Sequence, residues 1–153
     1  MLHRIAHSVS PGENLEGRSR PLGDGGAKPR YAMAKRILVA DDSLLMRRQI
    51  RTILELDGDI EICAEAANGI EAVQKVQECH PDLALLDFLM PGMNGLEATR
   101  EIKKAMPTLC VLLFTLDASP QLKWEGKQAG ADVVLLKAEG SRQLSQVIHS
   151  LLQ

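Results

Sequence analysis

The chain predicts an α/β protein built on a doubly wound, five-stranded parallel sheet. Three observations lead there. From Lys35 onward, short apolar runs alternate with amphipathic stretches. The hydrophobic period changes from a continuous run to 3.6 residues between them. Finally, Gly, Pro and Ser-Pro boundaries fall where the period changes.

The runs, in order, are Ile37 to Ala40, Ile60 to Ala66, Leu83 to Leu86, Val111 to Phe114 and Val133 to Leu136. Each has a strand's length and is rich in Val, Ile and Leu, as parallel strands covered on both faces are. After Asp42-Ser43, Met46, Ile50, Ile53 and Leu54 fall on one helical face, and Gly58 is expected to end that helix. Ala72, Val73 and Val76 mark a second helix closed by His80-Pro81. A third is expected from Gly95 to Met106, stopped by Pro107. Ser119-Pro120 forms an N-cap and first-turn pair for a fourth. Leu144, Val147, Ile148 and Leu151 recur at i, i+3, i+4 and i+7 to make the last. Five βα units with right-handed crossovers place helices on both faces of the sheet.

At 153 residues the chain is one domain's worth, enough to bury roughly two thirds of its unfolded surface. Residues 1 to 34 contain five glycines and three prolines and have neither a helix nor a strand period, so a disordered N-terminal extension is expected. MAKRILVADD, from Met33, reads as a natural beginning, so a misassigned start is favoured over a basic tether. The domain is expected to cover residues 35 to 153.

A net charge of −2 with 25% charged residues makes no electrostatic case for direct nucleic-acid or membrane binding. The apolar runs are far shorter than a bilayer span, and the N-terminus lacks a secretory core. Cys63, Cys79 and Cys110 lie far apart in sequence without metal-ligand spacing and read as reduced core thiols. A cytoplasmic location is the simplest expectation.

The chemistry collects at the carboxyl ends of the strands, where doubly wound sheets bind their ligands. The first strand runs into Asp41-Asp42, the third into Asp87, the fourth into Thr115 and the fifth into Lys137. Asp87 ends the apolar run LALLD, where an unpartnered charge would cost several kcal/mol. Three converging carboxylates repel one another unless a cation neutralises them, and an oxygen-only set suits Mg²⁺. A lysine and a hydroxyl beside them fit a phosphoryl group, which makes Asp87 a candidate nucleophile.

LVADDS, LALLDFLMPGMNGLE, LLFT and AGADVVLLK occur in an order and spacing that resemble the receiver domain of two-component response regulators. The resemblance covers Lys35 to about Leu152 and implies a flavodoxin-like fold with strand order 2-1-3-4-5. It implies that Asp87 is the phospho-acceptor, that Asp42 binds Mg²⁺ directly and Asp41 through water, and that the Leu89 carbonyl completes the protein ligands. Lys137 would hold one phosphoryl oxygen and Thr115 would turn to bond another. The implied partners are a sensor histidine kinase or phosphotransfer protein, a downstream protein, and a second copy of the chain pairing on phosphorylation. The chain would then be a stand-alone signalling protein, not an enzyme, with no output domain before Gln153.

Several residues depart from the family's pattern. Leu116 stands where Ala or Gly is usual and should narrow access to the phosphoryl group. Val134 replaces the aromatic switch residue three before Lys137, and Ala138 follows Lys137 where Pro is common, leaving the isomer of that bond open. Leu44 and Leu45, off the core stripe, are candidates for kinase docking. Trp124 is placed opposite Leu122, Gly126 and Ala129 and is a candidate partner anchor. Pro91-Gly92 and Asn94-Gly95 read as turns shaping the loop beside the acceptor. The histidines carry no assignable chemistry.

A haloacid-dehalogenase phosphatase would need DxD where this chain has Asp87-Phe88-Leu89. A flavin carrier would need a glycine-bearing phosphate loop after the first strand, and DDSLLMRR has none. The remaining alternative is a receiver-like interaction module that works without phosphorylation.

Overall fold

The computed structural model describes residues 34–117 and 119–153. Apart from Ala34, the expected N-terminal extension lies outside the described residues. Five parallel strands, β1 (Lys35–Ala40), β2 (Ile60–Ala66), β3 (Leu83–Leu86), β4 (Cys110–Thr115) and β5 (Val133–Leu136), form one sheet in the order β2-β1-β3-β4-β5. Between and after them run α1 (Leu44–Glu55), α2 (Gly69–Cys79), α3 (Gly95–Ala105), α4 (Pro120–Ala129) and α5 (Lys137–Leu151). This is the flavodoxin-like fold that the sequence predicts.

Strand periodicity divides the core into two layers. Ile37, Val39, Leu83, Leu85, Leu112 and Phe114 point to one face, where Ile50 and Leu54 of α1 and Leu144 and Ile148 of α5 cover them. Leu38, Ala40, Ala84, Leu86, Val111 and Leu113 point to the other, under Ala72 and Val76 of α2, Ile102 of α3 and Leu122 of α4. Because both faces are covered, both alternating sets of residues in the central strands are apolar, and the strands read in sequence as continuous runs.

The helix starts are capped as the sequence suggests. Ser43 accepts from the Met46 N–H, Asn68 from Glu71 and Ser119 from Leu122, with Pro120 in the first turn of α4. Asn94 and Glu97 form a reciprocal capping box at α3. Asn94 therefore serves as a cap where the sequence suggested part of a turn. The first helix stops at Glu55 with Leu56 as its C-cap, two residues short of the Gly58 expected to end it. His80 closes α2 in the left-handed region at φ 47.

Two sequence expectations change in three dimensions. Cys63 and Cys79, distant in sequence, have sulfurs 3.0 Å apart, because β2 and the end of α2 are neighbours; both remain free thiols. His149, read as idle, places Nε2 2.6 Å from Asp57 Oδ2 and joins α5 to the turn after α1. No cis peptide bond occurs among the described residues, so the bond after Lys137 is trans. No helix among them is long and apolar enough to cross a membrane.

Candidate functional site

Ladder register sets the site. Asp41 and Asp87 follow the adjacent, paired residues Ala40 and Leu86, and the Asp87 N–H donates to the Ala40 carbonyl at 2.9 Å. The two carboxylates therefore leave neighbouring strands at the same level. Thr115 ends β4, and Lys137 follows its partner Leu136 on β5. All five residues named from the sequence, Asp41, Asp42, Asp87, Thr115 and Lys137, line one cleft of about 470 Å³.

Asp41 is 2% exposed and Asp87 8%, whereas Asp42 faces solvent. Asp41 is held at both oxygens. Its Oδ1 accepts from the Ser43 N–H at 2.9 Å and its Oδ2 accepts from Lys137 Nζ at 2.7 Å. The same ammonium lies 3.3 Å from Asp87 Oδ1, so Lys137 bridges the two buried carboxylates. Burial pushes the Asp87 carboxyl above its ordinary range, helped by the charges of Asp41 and Asp42 and opposed by Lys137.

One carboxylate oxygen from each of Asp41, Asp42 and Asp87 lies within 4.8 Å of the others. With all three ionised, Lys137 offsets one of their charges and leaves two negative charges on this set. An oxygen-only donor set with that residual charge fits a hard divalent cation such as Mg²⁺. Leu89 lines the same cleft. Thr115 is buried, and its Oγ1 accepts from the Asp117 N–H at 3.2 Å.

The loop after Asp87 is set by close approach. Gly92 takes φ +77, which favours glycine. Gly95 has an ordinary φ but no room: a Cβ there would overlap the Asp87 carbonyl oxygen and come within 2.9 Å of Phe88 Cα. Its N–H donates to the Phe88 carbonyl at 2.8 Å, which seats the start of α3 directly against Asp87. Gly95 thus works through contact with Asp87 and Asn94 through its cap on α3, where the sequence suggested turn chemistry.

Arg47 is the residue that sequence reasoning missed. Its Nη1 donates to the Asp41 backbone carbonyl at 2.6 Å while its Nε holds Glu65 at 3.1 Å. Arg51 grips the other oxygen of Glu65. Burial alone would raise the Glu65 carboxyl, but hydrogen bonds and charges from Arg51 and Arg47 hold it below its ordinary value. The available signal was position: Arg47 stands four residues after the Ser43 cap, one turn into the helix that starts at the acidic pair.

The surface candidates fall where the sequence places them. Leu44, Leu45 and Leu116 are 50%, 67% and 74% exposed, and Leu116 lines the cleft mouth. Trp124 is 60% exposed, while Leu122, Gly126 and Ala129 face inward. Val134 is partly buried beneath α4, close enough that a Cβ on Gly126 would sit 2.8 Å from its Cγ2.

The family model for the response regulator receiver domain matches residues 37–149. Among curated relatives, a protein-glutamate methylesterase/protein-glutamine glutaminase of Pyrococcus abyssi is 48% identical over 58 residues, covering 38% of this chain and 16% of that protein. The chemotaxis protein CheY of Listeria monocytogenes is 47% identical over 58 residues, covering 38% of this chain and 48% of its own. The matched segment thus spans less than half the length of either relative. A CheY-like response regulator receiver domain protein from Methanospirillum hungatei superimposes with a TM-score of 0.72 at 30% identity, covering 78% of this chain and 94% of that one.

Proposed function

The chain belongs to the response regulator receiver domain family of two-component signalling, and from that premise we propose that it accepts a phosphoryl group on Asp87 and signals through contacts with other proteins. The carrying observation is the placement of Asp87: buried at the carboxyl end of β3, 3.3 Å from the Lys137 ammonium and within reach of two further carboxylates.

Phosphoryl transfer needs positioning and charge neutralisation more than covalent machinery. An Asp87 oxygen attacks phosphorus, and the bond from phosphorus to a donor phosphohistidine nitrogen breaks with its electron pair going to the imidazole. Lys137, already between Asp41 and Asp87, offers its ammonium to an incoming phosphoryl oxygen. Thr115 exchanges the Asp117 N–H for a bond donated to another oxygen, drawing the β4–α4 loop with it. Asp41, Asp42, Asp87 and the Leu89 carbonyl would hold Mg²⁺, which when bound neutralises the residual negative charge at the acceptor. The group most directly fitted to steady that set is Arg47, through the Asp41 backbone.

Two expectations follow at individual residues. Arg47→Lys keeps the charge but cannot bridge Glu65 and the Asp41 carbonyl as a guanidinium does. Calorimetric Mg²⁺ titration should show affinity about tenfold weaker; an unchanged affinity would remove Arg47 from the site. Leu116→Ala opens the cleft mouth. Its rates of phosphorylation by a small donor and of dephosphorylation in water should each rise roughly threefold, under 1 kcal/mol of barrier, as followed by phosphate release and intact mass.

A sensor histidine kinase or phosphotransfer protein would dock over Leu44 and Leu45 beside the acceptor. A downstream protein, or a second copy of the chain, would meet the α4 surface at Trp124. We take residues 35–153 as the receiver unit and read the chain as a cytoplasmic signalling protein. The test is intact mass after incubation with acetyl phosphate, with and without Mg²⁺, followed by a panel of autophosphorylated sensor kinases. A Mg²⁺-dependent gain of one phosphoryl group supports the reading. No gain from any donor would replace it with a module that binds partners without phosphorylation.

A further inference from the structure

Cys63 lies in β2 and Cys79 is the last residue of α2, 16 positions later, yet their sulfurs are 3.0 Å apart. A bulge produces the contact. Along β1, Ile37 pairs with Ile62 and Leu38 with Ala64, so Cys63 is the extra residue of β2. The strand alternation breaks there: Ile62 packs on the α1/α5 face of the sheet and Ala64, two residues on, packs on the α2 face. Bulges re-aim the side chains they carry. This one brings Cys63 onto the end of α2.

The other half of the pair is tied down independently. Arg36 Nη1 donates to the Cys79 carbonyl at 2.5 Å and to the His80 carbonyl at 3.3 Å, while its Nε meets Glu61 at 3.4 Å. Arg36 and Glu61 are register partners, so the ladder that holds β2 also holds Cys79. Both thiols are partly exposed. A disulfide needs its sulfurs about 2.05 Å apart, an approach of roughly 1 Å.

We propose that Cys63 and Cys79 form a redox-active dithiol, oxidised to an intramolecular disulfide by a low-molecular-weight disulfide. One protein thiolate displaces a thiol from the small disulfide and leaves a mixed disulfide. The second protein thiolate attacks the protein sulfur of that bond and releases the other thiol. Two S–H bonds of the protein are lost and one S–S bond forms. The electron pair reduces the small disulfide, which leaves as two thiols. Burial, reinforced by the Cys79 contact, pushes the Cys63 thiol up to about 12, so the rate rises with pH as the thiolate fraction grows. The bond fastens edge strand β2 to α2, whose first residue, Gly69, donates to the Met93 carbonyl in the loop after Asp87.

The test treats the full, folded chain with excess oxidised glutathione at about pH 8, alkylates the remaining thiols and maps tryptic peptides. Lys75 separates the two residues, so Cys63, Cys79 and Cys110 fall on peptides 52–75, 76–100 and 105–123. The expected result is a mass loss of two hydrogens, alkylation at Cys110 only, and peptides 52–75 and 76–100 joined until dithiothreitol is added. Cys110→Ser should leave this unchanged. Three alkylated cysteines, glutathione retained on Cys63 or Cys79, or a link to peptide 105–123 would overturn the proposal.

Discussion

Asp87→Asn should abolish phosphoryl uptake and, in the absence of magnesium, make the protein more stable. Asn cannot form an acyl phosphate, so the gain in mass from a phosphodonor should fall by roughly a hundredfold or more, as loss of a nucleophile does. The stability gain follows from the sign of the Asp87 shift. Burial first, then the Asp41 charge, hold its carboxyl above the ordinary value of 3.8, with Lys137 only partly offsetting them and Asp42 adding to the rise. Between that ordinary value and the raised one, the native state binds more protons than the unfolded state. Stability therefore falls as pH rises through this window and stays lost above it. A neutral amide removes the penalty, and Lys137 keeps its 2.7 Å partner Asp41. Urea midpoints at pH 7 without Mg²⁺ should be higher for the variant, and added Mg²⁺ should stabilise it less than wild type. A variant that is less stable than wild type would mean that Asp87 is favourably paired and carries no such charge strain.

Gly95→Ala carries a large expected structural cost beside the acidic cleft. The new Cβ would overlap the Asp87 carbonyl oxygen and press on Phe88 Cα, both backbone atoms that no side-chain rotation can move aside. Overpacking against backbone costs about 3 kcal/mol, a fall in Tm on the order of 10 °C for a domain of this size. Whatever relaxation does occur displaces Asp87, so phosphoryl uptake should fall along with stability. Gly92→Ala is the comparison. Gly92 has φ +77, yet its added Cβ would meet only Ile70 Cδ1 at 3.9 Å. That variant pays left-handed strain alone, about 1 kcal/mol. If thermal melts place the two variants together, close approach is not what demands glycine at position 95.

Most of the fold and the central site residues were legible because each rests on a local signal. Apolar runs of strand length, helical stripes and the Ser43 and Ser119-Pro120 starts are written in consecutive residues. Strand boundaries came out within two residues, as at β1 and β4. The site was legible for a related reason. Parallel strands end at one edge, so charged residues just after apolar runs converge wherever the crossovers lead. What was misread involves partners far apart in the chain. Gly95 looked like a turn residue, since nothing nearby in sequence tells that its Cα abuts a carbonyl. Cys63 and Cys79 looked unrelated because the contact depends on a bulge, and a run such as IEICAEA carries no mark of where one extra residue slips in. His149 looked idle, its Asp57 partner lying 92 positions away.

The amino-acid sequence alone determined the class of sheet, the helix starts and the identity of the five polar residues at the strand ends, because hydrophobic period and capping act over a few residues at a time. Only the tertiary structure decided how those residues are connected. It placed Lys137 between Asp41 and Asp87, clasped Asp41 through Arg47 and Glu65, and set two thiols side by side. Those relations depend on ladder register and on how helices seat against the sheet, and both are settled by packing across the whole core at once.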